Sequence, residues 1–177
     1  DGVGAGETGS TADVAARLGW PAVLVVDGAR QGASVAALLE GFTRHRRGLD
    51  VAGVIFNRVG SARHGAVLAA ATKAALPDLA ILGSVPRDDA LALPERHLGL
   101  VHAGEHADLD GFLDRAAALV AESCDLAGLA ALARPARIAD AAEPTALRRQ
   151  RQRIAVARDP AFAFAYPHLL RSWHAAG

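Results

Sequence analysis

PAVLVVDGARQGASVAALLEGFTRHRRGLDVAGVIFNR, residues 21–58, joins two kinds of pattern in quick succession. Ala22 to Val26 is a continuous apolar run, rich in valine and closed by Asp27; Val51 to Phe56 is a second, ending at Asn57. Apolar runs of this length without polar alternation predict strands buried on both faces. Between them Val35, Leu38, Leu39 and Phe42 recur at helical spacing within Ala33 to Arg46. Parallel neighbours need a crossover of a dozen residues or more, and a helix of this length supplies it. The stretch therefore predicts an α/β fold, a parallel sheet sandwiched by helices.

The same alternation continues outward. Ala62 to Ala75 predicts a helix, and Leu79 to Val85 a third buried strand stopped by Pro86. Upstream, the glycine-rich segment Gly2 to Gly9 runs into Ser10-Thr11-Ala12-Asp13, where a hydroxyl can cap a short helix ending near Leu18. Downstream, Pro94 and Gly99 make Leu91 to Val101 irregular. Leu109 to Val120 is amphipathic, with Leu109, Phe112, Leu113, Ala116, Leu119 and Val120 on one side. After Cys124 the composition shifts, and Arg134 to Arg153 is rich in Ala, Pro and Arg without apolar periodicity. The domains expected are 1–125 for the first, a linker over 126–152, and the opening of a second domain over 153–177. That opening would be a strand at Arg153 to Ala157, a turn at Asp159-Pro160 and a helix over Phe162 to Ala176.

Composition narrows the function classes. The chain has 177 residues and a formal net charge of zero, which offers nothing electrostatic to nucleic acid or an anionic membrane. Hydrophobic residues make up 51% and aromatics only 5%, so a core must be built from Ala, Val and Leu. No run of about 18 apolar residues exists to span a bilayer. The N-terminus has neither the basic start nor the apolar run of a signal peptide. One cysteine, Cys124, excludes a disulfide framework and a Cys-x-x-Cys site within the chain and fits a cytoplasmic protein. The chain contains no methionine, and an interior piece of a longer protein is the expectation.

Several motifs admit more than one reading. Gly4-Ala5-Gly6-Glu7-Thr8-Gly9 matches G-x-G-x-x-G, and Asp27 then stands where a ribose-binding carboxylate would be needed. An NAD-binding domain of an oxidoreductase is thus one alternative, and a non-catalytic nucleotide-binding module another. A phosphate loop of the form G-x-x-x-x-G-K-[ST] is absent, since Lys73 lies within a predicted helix. Asn57-Arg58 and Pro86-Arg87 follow strand ends, where ligands gather in open α/β sheets. Either pair could line a nucleotide pocket, with the Asn57 amide on a purine edge, or simply begin a polar loop. His97, His102 and His106 could ligate a metal, but their spacing fits solvated loop histidines better. Cys124 reads as a structural thiol rather than a nucleophile.

Taken together, several strings resemble one family. They are Asp1-Gly2 followed by Gly9-Ser10-Thr11-Ala12-Asp13, PAVLVVD (21–27), VAGVIFNRVGSARH (51–64), LGSVPRD (82–88), LPERHLGLV (93–101) and RIAVARDPAFAFAYPHLL (153–170). In this order they are similar to the glutamine-hydrolysing cobyrinate (hydrogenobyrinate) a,c-diamide synthases. The resemblance implies a P-loop, dethiobiotin-synthetase-like domain joined to a class I glutamine amidotransferase domain. It implies ATP and Mg2+ as cofactors, and a corrinoid acid and glutamine as partners, with a homodimer among the assemblies it allows. The first domain would phosphorylate an acetate carboxylate, and ammonia from glutamine would displace the phosphate.

Residue by residue, the resemblance places Asp1 at the metal and the reacting carboxylate. It places Asn57, Arg58, Pro86 and Arg87 at the adenine, and Ser10, Thr11, Arg96 and His97 at the corrinoid. The family's phosphate loop and its amidotransferase cysteine have no counterpart in the chain, so these 177 residues alone are expected to form no amide.

Overall fold

The computed structural model describes residues 9–93, 103–137, 154–159, 162 and 165–176. They fall into two compact units, one ending at Arg137 and the other beginning at Ile138.

Within the first unit, β1 (Ala22–Asp27), β2 (Val51–Val59) and β3 (Ala80–Pro86) form one parallel sheet in the order β1-β2-β3. Helix α1 (Thr11–Leu18) precedes β1, α2 (Val35–His45) joins β1 to β2, and α3 (Ala62–Ala75) joins β2 to β3. Beyond β3 come a 3-10 turn at Asp89–Leu91, α4 (Leu109–Ser123) and α5 (Leu126–Ala131).

The helices start where the sequence supplies a cap. The hydroxyls of Ser10 and Ser61 accept the N–H groups of Asp13 and His64, and the carboxylates of Asp108 and Asp125 accept those of Gly111 and Gly128. Each bond satisfies a backbone donor that the helix itself leaves unpaired.

The core lies between the sheet and the layer of α2 and α3. Val26, Val54 and Phe56 from the strands meet Val35 and Leu39 of α2 and Leu68 of α3. Phe56, Leu39, Leu68, Val35 and Val54 are fully buried, each worth about 1.5–3 kcal/mol of transfer free energy. Thr72 is buried with them and donates its hydroxyl to the Leu68 carbonyl at 2.8 Å, so it carries no desolvation penalty into the core. On the other face Val25 is 65% exposed, so β1 is not buried on both faces as its apolar run predicts.

Other sequence expectations need correction as well. First, β2 does not stop at Phe56 but runs on to Val59, because a bulge absorbs one residue: Phe56 pairs with Ser84 and Val59 with Pro86. Second, residues 126–131, which composition assigned to a linker, are helix α5. Its Asp125 N–H donates to the Leu82 carbonyl at 2.8 Å, and the first unit continues to Arg137, whose N–H donates to Leu18. Third, residues 154–157, expected as a strand, pair with no strand among the described residues.

In the second unit α6 (Pro167–Ala176) begins later than the expected Phe162. Proline stands at its first position, where a missing N–H costs nothing. The irregular stretch from Leu91 falls largely on 94–102, outside the described residues.

Candidate functional site

β2 and β3 end side by side, and a cleft of about 490 Å³ opens between those ends and α4. Asn57 and Arg58 reach it from β2, Pro86 from the end of β3, Arg87 from the loop that follows, and Ala116, Leu119 and Val120 from α4. Four of the residues that the sequence marked are thereby brought together. Backbone bonds hold the two strand ends in place: the Arg87 N–H donates to the Val59 carbonyl at 3.0 Å, and the Gly28 N–H at the end of β1 donates to the Asn57 carbonyl at 2.8 Å.

The bulge decides how Asn57 and Arg58 face the cleft. Arg58 is the one non-glycine with positive φ among the described residues, at 58°. Its N–H donates to Asn57 Oδ1 at 2.9 Å, which pins the carboxamide and leaves the amide N–H₂ with donors to offer. The Arg58 guanidinium reaches back to Asp27 Oδ2 at 3.0 Å.

The loop after β3 is held in a similar way. Asp88 accepts the Ala90 N–H at 2.9 Å and the Arg115 guanidinium at 3.1 Å, tying the loop to α4. The Ala90 N–H, and then Arg115, hold the Asp88 carboxyl below its ordinary value. Arg87 pairs with Asp89 at 2.8 Å. Leu119 and Val120 give the cleft an apolar wall facing these charges. A flat apolar group with a few polar atoms on its edge suits such a lining.

The remaining sequence candidates stand elsewhere. Ser10 is buried at the start of α1. Its hydroxyl accepts from the Asp13 N–H at 3.1 Å and from Arg46 at 3.4 Å, while the Asp13 carboxylate takes Arg46, Arg17 and the Gly9 N–H. Arg46 follows α2, whose end leads into the start of β2, so this network lies away from the strand ends that form the cleft. Thr11 is exposed, and no residue of α1 lines the cleft.

Asp1, Arg96 and His97 lie outside the described residues, as do His102 and most of the glycine motif. His106 accepts the Asp108 N–H at 3.2 Å and packs on Phe112 with ring centres 5.0 Å apart. No cluster able to hold a metal ion occurs among the described residues. Cys124 is half-buried at the end of α4, where burial raises its thiol pKa, in keeping with a structural role. The carboxylate of Asp27, the ribose ligand of the NAD alternative, is taken up by Arg58 and by the Ala29 N–H at 2.9 Å.

Sequence reasoning missed Asp88, Arg115, Leu119 and Val120 as parts of this site. Asp88 alone left a local signal, an acidic residue placed to cap the turn after Pro86-Arg87. Arg115 lies 27 residues from it and left none.

A parallel sheet with its cleft at the carboxyl ends of the strands is the ligand-binding arrangement of open α/β domains. The chain belongs to the AAA domain family, whose model matches residues 2–95. It is also similar to enzymes named hydrogenobyrinate a,c-diamide synthase. That of Brucella anthropi is 51% identical over 172 residues, that of Rhizobium meliloti 52% over 171, and that of Mesorhizobium japonicum 44% over 172. These matches cover 96–97% of this chain but only 38–39% of the relatives' length. No solved structure matches the chain. No helix among the described residues is long and apolar enough to cross a membrane.

Proposed function

We propose that this chain is the nucleotide-binding portion of an ATP-dependent, glutamine-using ligase that amidates the a- and c-acetate carboxylates of hydrogenobyrinate or cobyrinate. The observation that carries the proposal is the 51–52% identity to hydrogenobyrinate a,c-diamide synthases, sustained over 96% of the chain. The cleft supports it: its volume of about 490 Å³, its apolar wall and the Asn57 amide suit an adenine base.

A carboxylate resists attack by ammonia until one of its oxygens becomes a leaving group. ATP, when bound, supplies the phosphoryl group that makes it one. This chain's own part is to hold the base end of the nucleotide: Asn57 offers amide donors to the purine edge, Leu119 and Val120 cover one side, and Arg58, Pro86 and Arg87 frame the opening. Fixing the base fixes the direction in which the phosphates run, and such positioning is most of what phosphoryl transfer asks of a protein.

In this reading Ser10, Thr11, Arg96 and His97 serve the corrinoid and Asp1 serves magnesium and the reacting acetate. Glutamine hydrolysis belongs to an amidotransferase domain that begins within residues 153–177. The intact protein would work in the cytoplasm, as a homodimer.

The test is Asn57→Ala in the full-length protein. An unpaired purine edge costs about 1–3 kcal/mol, a loss of roughly 5- to 150-fold in ATP affinity. Calorimetry should show that loss, and diamide formation followed by mass spectrometry should fall at limiting ATP. ATP affinity equal to the parent's would overturn the nucleotide reading.

A further inference from the structure

We propose that Asp27 is a positioning residue for nucleotide binding, acting through Arg58 on Asn57. The proposal rests on the nucleotide reading of the cleft. Asp27 ends β1 opposite Asn57 of β2 and does not line the cleft. Its two oxygens are committed locally: Oδ1 to the Ala29 N–H at 2.9 Å and Oδ2 to the Arg58 guanidinium at 3.0 Å.

Arg58 occupies the extra position of the β2 bulge with φ at 58°, a conformation natural to glycine and uncommon for a branching-free but bulky side chain. A bulge re-aims the side chains beside it. Here the re-aimed Arg58 N–H meets Asn57 Oδ1 at 2.9 Å and so sets the rotation of the carboxamide that faces the cleft. The chain of cause therefore runs from Asp27 to the Arg58 side chain, to the Arg58 backbone, to the Asn57 amide.

A second tether keeps the effect local. His64 Nδ1 accepts the Gly60 N–H at 3.1 Å, which leaves Nε2 to donate to the Gln31 carbonyl at 2.8 Å. The loops after β1 and β2 thus stay joined when Asp27 is removed, while the Ala29 N–H loses its acceptor and the bulge relaxes. The Asp27–Arg58 pair is itself half exposed, 56% and 54% at the side chains, so the expected effect is modest.

The experiment is a double-mutant cycle on ATP affinity in the full-length protein, with Asp27→Ala, Arg58→Gly, the double variant, and Asn57→Ala as the reference. Asp27→Ala should raise the Kd for ATP about five-fold, with the thermal midpoint and glutamine hydrolysis unchanged. In the Arg58→Gly background the same substitution should change Kd by less than about two-fold, because glycine holds the left-handed conformation unaided.

An equal penalty in both backgrounds would overturn the proposal, since Asp27 would then act by another route. So would the absence of any penalty in a protein whose Asn57→Ala variant binds ATP weakly. If Asn57→Ala itself binds ATP like the parent, the nucleotide reading fails and this inference falls with it.

Discussion

Gly83 lies in the middle of β3, where the chain leaving α4 presses against the sheet: Gly83 and Cys124 form an antiparallel bridge. A methyl group there would stand 2.6 Å from Cys124 Sγ, 3.0 Å from the Ser123 carbonyl oxygen and 3.2 Å from Cys124 Cα. Carbon atoms in good contact stand about 3.5–4.0 Å apart, so all three neighbours must yield. The sulfur can rotate away. The two backbone atoms cannot, because the Asp125 N–H next to them is bonded to the Leu82 carbonyl at 2.8 Å.

Overpacking of this kind costs about 1–3 kcal/mol, against roughly 0.4–1 kcal/mol gained by stiffening the unfolded chain, for a net loss of about 1–2 kcal/mol. Urea unfolding followed by Trp20 fluorescence reads it, with Trp173→Phe in both proteins so that one of the two tryptophans reports alone. The midpoint should fall by about 0.5–1 M with m unchanged. A Cys124→Ala background should recover part of the loss and not all of it. Because α4 ends one residue before Cys124 and carries Leu119 and Val120 into the cleft, ATP affinity of the full-length protein should drop as well. A Gly83→Ala chain with a midpoint at or above the parent's would refute the close-packing argument.

Asp13 and Cys124 carry two further predictions. The Gly9 N–H first, then Arg46 and Arg17, hold the Asp13 carboxyl below its ordinary value of 3.8; a depressed native pKa gives stability that is full above that value and lost as pH falls through the lower one. Asp13→Asn should therefore flatten the acid limb of a plot of thermal midpoint against pH, and superimposable limbs would show that the network contributes nothing. Burial raises the Cys124 thiol above its ordinary value, so iodoacetamide at mildly alkaline pH should modify native Cys124 more slowly than it modifies the unfolded chain. Equal rates would place the thiol in water.

The alternation of apolar runs with helical periodicity was enough to predict β1, α2, β2, α3, β3 and α4 in order, because each pattern is local and repeats within its own element. The parallel sense of the sheet followed from connection length alone. Strand ends were visible where a polar residue or a proline closes an apolar run, which marked Asn57-Arg58 and Pro86-Arg87 as strand-end pairs; their assignment to an adenine pocket came from the family resemblance. The six-residue α5 could not, since it is too short to show a period and takes its support from the Leu82 carbonyl of β3.

Only the tertiary structure decided that β2 carries a bulge, since an extra residue exists only relative to the partner strand that lacks it. Only there do Asp27 and Arg58, 31 residues apart, become an ion pair, and Asp88 and Arg115, 27 apart, a tie between loop and helix. Sequence order holds no record of such pairings: they arise where the sheet brings strand ends side by side and α4 folds back over them.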